Sequence, residues 1–123
     1  MIGICDIDKM NKGNVTTAHS AITATATSAK INCKGYNALL VLVDLSATGT
    51  PNWTITVNGA MGEQETAVAW NQIDNASVVA MSSGALTADA GFTFIGVPDW
   101  VTITATENSG TGTCTVKVQP FNI

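Results

Sequence analysis

The sequence Trp53-Thr54-Ile55-Thr56-Val57 alternates apolar side chains with threonine. The same period of two recurs in residues 92–94, 101–105 and 114–118, where the intervening residues are again mostly threonine. Successive side chains of a β-strand point to opposite faces of the sheet, so each stretch can bury one face and leave a polar row outside. These segments predict an all-β protein with antiparallel sheets, each buried on one side.

Turn-forming residues separate the strand candidates along the whole chain. Residues 36–45 are apolar in both phases, which predicts a strand that is covered on both faces. The spacing of the turns predicts about seven to nine short strands in an antiparallel β-sandwich with a jelly-roll-like arrangement. We expect the links 46–52 and 107–112 each to close a hairpin between the strands that flank them.

The length of 123 residues and the apolar share of 46% predict one domain with its own hydrophobic core. Residues 1–14 show little periodicity and contain two aspartates and two lysines. We interpret residues 1–14 as an N-terminal arm and residues 15–123 as a single β-sandwich domain. A plain first strand through Ile2 and Ile4 is the alternative for the beginning of the chain.

The charge pattern excludes several classes of partner. The net charge is −4, with five lysines and no arginine, so nucleic acid is not an expected partner. No basic stripe is present for an anionic membrane, and the longest apolar run, residues 38–43, is too short to span a bilayer. The first residues also lack the basic start of a classical signal peptide.

No catalytic or metal-binding motif accompanies the strand pattern. His19 is the only histidine, and its hydroxyl-bearing neighbours Thr16, Thr17 and Ser20 do not supply the placed partners of a triad or metal site. This favours a surface histidine or an internally hydrogen-bonded one. The acidic pairs at Asp6 and Asp8 and at Glu63 and Glu65 are too sparse for a calcium loop. We expect no catalytic, cofactor-binding or metal-binding residues and no enzymatic activity.

The three cysteines are widely spaced, and an odd count argues against a disulfide framework. We interpret Cys33 and Cys114 as small buried apolar residues. The sequence also allows a disulfide bond between Cys33 and Cys114.

Contacts to a ligand or partner are predicted at four residues. Trp53 shares the phase of Ile55 and therefore points into the core, whereas Trp100 precedes the inward Val101 and faces the other side. Trp70 is a second aromatic candidate, and the residues 62–65 form the one acidic cluster. The predicted contact residues are Trp100, Trp70, Glu63 and Glu65.

Four stretches of the chain carry a family resemblance: residues 35–44, 49–55, 92–101 and 116–120. These stretches resemble the sequences of small all-β structural proteins of tailed bacteriophages, above all capsid decoration and head-associated proteins. The resemblance covers roughly residues 30–123. The resemblance implies a non-enzymatic virion protein that is made in the host cytoplasm and binds capsid or other virion proteins. It also implies a homo-oligomer, with a trimer favoured, whose contacts lie at the N-terminal arm and the sheet edges.

The alternative function is a carbohydrate-binding or adhesin-type module, in which exposed aromatic residues such as Trp100 or Trp70 stack on sugar rings. The oligomeric state in solution separates the two hypotheses. A stable trimer favours the virion protein, and a monomer favours the binding module.

Overall fold

The computed structural model describes residues 11–46, 48–74 and 76–123. Most of the predicted N-terminal arm, residues 1–10, lies outside the described residues. The regular structure within these ranges consists of twelve strands: β1 (Thr16–Ile22), β2 (Ala26–Thr27), β3 (Ile31–Asn32), β4 (Ala38–Leu45), β5 (Trp53–Ala60), β6 (Val68–Ala69), β7 (Asn71–Asp74), β8 (Ser77–Ala80), β9 (Ser82–Leu86), β10 (Ala90–Ile95), β11 (Trp100–Glu107) and β12 (Cys114–Phe121). No helix long and apolar enough to cross a membrane occurs in these ranges.

The strands form two antiparallel sheets and one separate hairpin. The first sheet has the order β1-β12-β4-β10. The second has the order β2-β11-β5-β6, with β3 also paired to β11 and β9 to β5, while β7 and β8 pair with each other. The predicted all-β antiparallel sandwich is confirmed. Twelve strands replace the predicted seven to nine because β2, β3 and β6 have only two residues each.

The core lies between the two sheets and is built from the inward phase of four long strands. Each of these strands contributes residues that are almost completely buried, so the threonine alternation predicted the inner faces correctly. The buried side chains of the four strands are Leu39, Val41, Val43 and Leu45 of β4, Trp53, Ile55 and Val57 of β5, Val101, Ile103 and Ala105 of β11, and Cys114, Val116 and Val118 of β12.

The predicted double burial of residues 36–45 is wrong for the outer face of β4. Leu42 and Asp44 are exposed and Leu40 is half-buried. Within the described chain no layer covers this side of the four-stranded sheet. The apolar residues Leu40 and Leu42 of the outward phase therefore belong to the molecular surface and not to a second buried layer.

The two predicted hairpins are also wrong, because β4 and β5 lie in different sheets, as do β11 and β12. The links between them cross from one sheet to the other and pack against each other. The N–H of Thr111 donates to the carbonyl oxygen of Thr50 at 3.2 Å, and the N–H of Thr50 donates to the Thr111 hydroxyl at 3.1 Å. Turn residues at this spacing suit a crossover as well as a hairpin, so sequence alone could not separate them.

Both described cysteines are buried free thiols. Burial raises the pKa of Cys33 to about 11, with a smaller contribution from the charge of Asp99. Burial alone raises the pKa of Cys114 to about 11. The interpretation as small apolar core residues fits this environment, and the structure contains no bridge between these two cysteines.

Residues 11–14 lie along the last residues of the chain. The N–H of Gly13 donates to the carbonyl oxygen of Pro120 at 2.7 Å, and the N–H of Asn122 donates to the carbonyl oxygen of Asn11 at 2.9 Å. Lys12 forms an isolated bridge with Phe121. The segment that leads into β1 is thus fixed against the end of β12.

Candidate functional site

One end of the sandwich brings the predicted contact residues together. Trp100 opens β11, where it pairs with Ala60 on one side and with Asn32 on the other. The loop that carries Glu63 and Glu65 directly follows Ala60, so it lies beside Trp100. Trp70 joins the same end because its ring packs over Gly59, the residue before Ala60.

Trp100 is half-buried, whereas its neighbour Val101 is fully buried, as the phase of β11 predicted. The ammonium of Lys34 lies 5.6 Å from the centre of the Trp100 ring. This is within the range of a cation–π interaction, which attracts a cation to the negative face of the ring. One face of Trp100 is therefore already covered by a lysine.

Trp70 is held in place by contacts on its ring and its ring nitrogen. Its indole N–H donates to the carbonyl oxygen of Gly96 at 3.0 Å. A Cβ placed on Gly59 would lie 2.8 Å from the Trp70 ring and 2.5 Å from Pro98, so only glycine fits below them. Trp70 thus connects the segment before β7 to the loop between β10 and β11, which is a packing role that the sequence did not reveal.

Glu63 and Glu65 are exposed on a short turn closed by the N–H of Glu65, which donates to the carbonyl oxygen of Gly62 at 3.2 Å. The ammonium of Lys30 donates to the backbone carbonyl oxygen of Glu63 and links this turn to the segment before β3. In the described part of the chain, no group of three His, Cys, Asp or Glu side chains could hold a metal ion.

A second surface, which the sequence reasoning missed, lies on the outer face of the four-stranded sheet. Leu42 stands between Gly91 of β10 and Lys117 of β12, and it is 56% exposed. Val15 and Ile95, on the same side of the sheet, are 61% and 54% exposed. Gly91 carries no side chain, and this leaves room for a groove of about 420 Å³ lined by Val15, Leu40, Leu42, Gly91, Thr93, Lys117 and Gln119.

The β7–β8 hairpin extends this apolar surface past the end of β10. The side-chain amide of Gln72 donates to the carbonyl oxygen of Ile95. Ile73 and Val79 then line a cavity of about 540 Å³ together with Ile95. We call the surface formed by Val15, Leu40, Leu42, Ile73, Val79 and Ile95 the outer apolar band. The apolar residues in the outward phase of residues 36–45 indicate this surface in the sequence, where the same pattern predicts burial within the domain.

The outer apolar band surrounds a sheet edge. β10 is the last strand of the four-stranded sheet and pairs only with β4 among the described strands. The carbonyl of Ile95 points away from β4, toward Gln72. Because backbone polar groups alternate sides along an antiparallel strand, those of Thr93 and Gly91 face the same free side. Such an edge can pair with a strand of another chain.

These features define a two-sheet antiparallel β-sandwich that exposes an apolar surface beside a sheet edge unpaired among the described strands. The fold is similar to that in the crystal structure of the SPBc2 prophage-derived protein YomS, with a TM-score of 0.63 and 18% sequence identity. The similarity covers 89% of this chain and 92% of YomS. No protein-family model matches the sequence, and no curated protein matches it significantly.

Proposed function

We propose that the chain is a non-enzymatic structural protein of a bacteriophage particle, of the capsid decoration or head-associated kind. Its fold is similar to that of a prophage-derived protein. Four stretches of its sequence resemble small phage structural proteins. The observation that carries the proposal is the outer apolar band beside the free edge of β10. A surface of this kind is typical of proteins that work by binding another protein.

The energetics of the outer apolar band favour association. Full burial of one large aliphatic side chain contributes about 1.5–3 kcal/mol. Val15, Leu42 and Ile95 are each more than half exposed, so a partner that covers all three gains several of these contributions. Among the described residues, Lys117 is the one charged residue that lines the groove, so few charges need to be desolvated there.

The free edge of β10 adds a directional element. A strand that pairs with β10 satisfies the outward backbone groups of Gly91 and Thr93 and fixes the orientation of the partner. We propose that capsid or other virion proteins and further copies of this chain use this edge, together with the N-terminal residues, and that the chain forms a homo-oligomer. We therefore expect the protein to be located on the phage particle.

Stacking of sugars on the aromatic residues has less support. One face of Trp100 lies against Lys34, and the ring of Trp70 is packed over Gly59 and against Pro98. Both rings therefore offer a smaller free face than an open carbohydrate platform needs.

Particle binding can be tested directly. A C-terminally tagged chain is expressed in cells that produce the phage encoding it, and particles are purified on a density gradient and probed for the tag. We expect the protein to sediment with the particles. The double variant Leu42→Lys/Ile95→Lys should remain in the soluble fractions, whereas the control Thr23→Lys, which adds a charge at an exposed loop position, should sediment with the particles.

Absence of the unaltered protein from purified particles contradicts the proposal. Particle binding by the double variant at the level of the control contradicts the role of the outer apolar band. Circular dichroism of the purified variants establishes that each variant is folded.

A further inference from the structure

Three of the five lysines of this acidic chain line one polar pocket of about 440 Å³. These are Lys12, Lys30 and Lys34, which come from two separate segments of the sequence. The remaining polar side chains of the lining are Asn14, Thr16, Asn32 and Tyr36, and none of the lining residues in the described chain is acidic. In a protein with a net charge of −4, this is a local excess of positive charge.

Hydrogen bonds from backbone N–H groups fix both walls of the pocket. The wall with Lys12 is fixed by the bond from Gly13 to Pro120. In the opposite wall, the Asn32 side chain accepts the N–H of Lys34 at 2.9 Å, and the N–H of Tyr36 donates to the carbonyl oxygen of Cys33 at 3.0 Å. The Tyr36 ring lies close over Gly13, where an added Cβ would be 3.2 Å from the ring. The walls therefore meet through Tyr36.

Among the residues that the structure describes, the contacts of Lys30 and Lys34 are with neutral groups and not with carboxylates. Lys30 donates to a backbone carbonyl oxygen, that of Glu63, and Lys34 lies over the Trp100 ring. Both are neutral groups that orient an ammonium without cancelling its charge. Like charges gathered at one pocket raise the local potential, and an anion that enters the pocket lowers it.

We propose that this pocket binds a small hydroxyl-rich molecule through an anionic group, either a carboxylate or a phosphate. The anionic group accepts charge-assisted hydrogen bonds from Lys12, Lys30 and Lys34. The amides of Asn14 and Asn32 and the hydroxyls of Thr16 and Tyr36 bond the neutral part of the molecule. The volume lies within the usual range of small-molecule sites, about 300–1,000 Å³. An acidic sugar has this combination of groups.

The proposal is tested by titrating the ¹⁵N-labelled full chain with glucuronate, glucose 6-phosphate and glucose at low ionic strength, followed by amide chemical shifts. We expect saturable shifts at Gly13, Lys34 and Tyr36 with at least one anionic sugar and none with glucose. The comparison of glucuronate with glucose 6-phosphate identifies the preferred anionic group. Lys12→Gln and Lys34→Gln should each weaken binding about three- to tenfold.

Lys117→Gln is the matched control, because it removes the same charge from the outer face of the four-stranded sheet, outside the pocket. Its affinity should equal that of the unaltered chain. Equal weakening by all three variants, or no saturable shift with either anionic sugar, overturns the proposal. The titration involves no phage particle, so its outcome is independent of the proposed particle binding.

Discussion

The imidazole Nε2 of His19 lies 2.7 Å from the carbonyl oxygen of Ile103, and this hydrogen bond joins the two sheets of the sandwich. His19 belongs to β1 of one sheet and is only 6% exposed, while Ile103 lies in the middle of β11 in the other. A carbonyl oxygen can only accept, so the geometry assigns the proton to Nε2. The same oxygen also accepts the N–H of Ser28 at 2.9 Å.

His19→Ala should lower the free energy of unfolding by about 1–3 kcal/mol, because it removes a buried hydrogen bond and leaves a cavity between the sheets. Urea denaturation followed by tryptophan fluorescence measures the loss. Ser20→Ala, at the next and exposed position of β1, is the matched control and should change stability by less than about 0.5 kcal/mol. Equal stability of the two variants contradicts a structural role for the His19 bond.

Gly110→Ala should destabilise the protein by more than about 3 kcal/mol, because Gly110 is where the two crossover links touch. Its φ is +96°, and an added Cβ would lie 1.8 Å from the carbonyl oxygen of Thr50. The backbone of one link or the other would have to move. Thermal unfolding and urea denaturation both report the effect.

Gly35→Ala separates backbone strain from steric overlap in this comparison. Gly35 has a φ of +84°, but an added Cβ would meet nothing within 4 Å. Only the cost of a left-handed alanine remains there, about 1 kcal/mol. If Gly110→Ala is no more destabilising than Gly35→Ala, the close packing of the two links is not a source of stability.

The sequence predicted the inner faces of the sheets because a period of two is a local property of a strand. The partners of each strand are not local. The link between β11 and β12 contains the same turn residues whether it closes a hairpin or crosses to the other sheet. Likewise, the apolar outward phase of β4 cannot by itself distinguish a second layer of the same chain from a surface that another chain covers.

The candidate sites were predictable to different degrees for the same reason. The phase of β11 identified Trp100 as a residue outside the core, since phase is read from neighbouring residues. The lysine pocket combines Lys12 with Lys30 and Lys34, which only the pairing of the N-terminal segment with β12 brings together. The packing of Trp70 over Gly59 likewise depends on tertiary structure.

Leu42→Lys should shift the chain toward the monomer if the outer apolar band and the β10 edge join copies of this protein. Burial of a lysine ammonium against an apolar partner surface is strongly unfavourable, while the exposed position tolerates lysine in the free chain. Light scattering coupled to size-exclusion chromatography measures the mass over a range of concentrations. The control Thr23→Lys should keep the mass of the unaltered protein, and an unchanged mass for Leu42→Lys contradicts self-association through this band.

The thiols of Cys33 and Cys114 should react slowly in the folded protein, because burial raises the pKa of both to about 11. Only the thiolate is reactive, and raising the thiol pKa from 9.0 to about 11 lowers its fraction at pH 8 about 100-fold. Modification in the folded protein at pH 8 should therefore be at least about 100-fold slower than in urea. Ellman's reagent measures both rates in a Cys5→Ser background, which removes the third thiol. Two thiols that react as fast in buffer as in urea contradict their burial, and two that fail to react in urea without reductant reveal a disulfide.

The same thiols make stability depend on pH in the alkaline range. A pKa that is higher in the folded than in the unfolded chain means that the folded chain holds its protons more tightly. The stabilisation is complete below the ordinary thiol pKa of 9 and is lost as the pH rises from 9 through about 11. The free energy of unfolding should therefore fall more steeply over this window in the Cys5→Ser protein than in a Cys5→Ser/Cys33→Ala/Cys114→Ala variant. Parallel curves for the two proteins would show that the buried thiols do not couple protonation to folding.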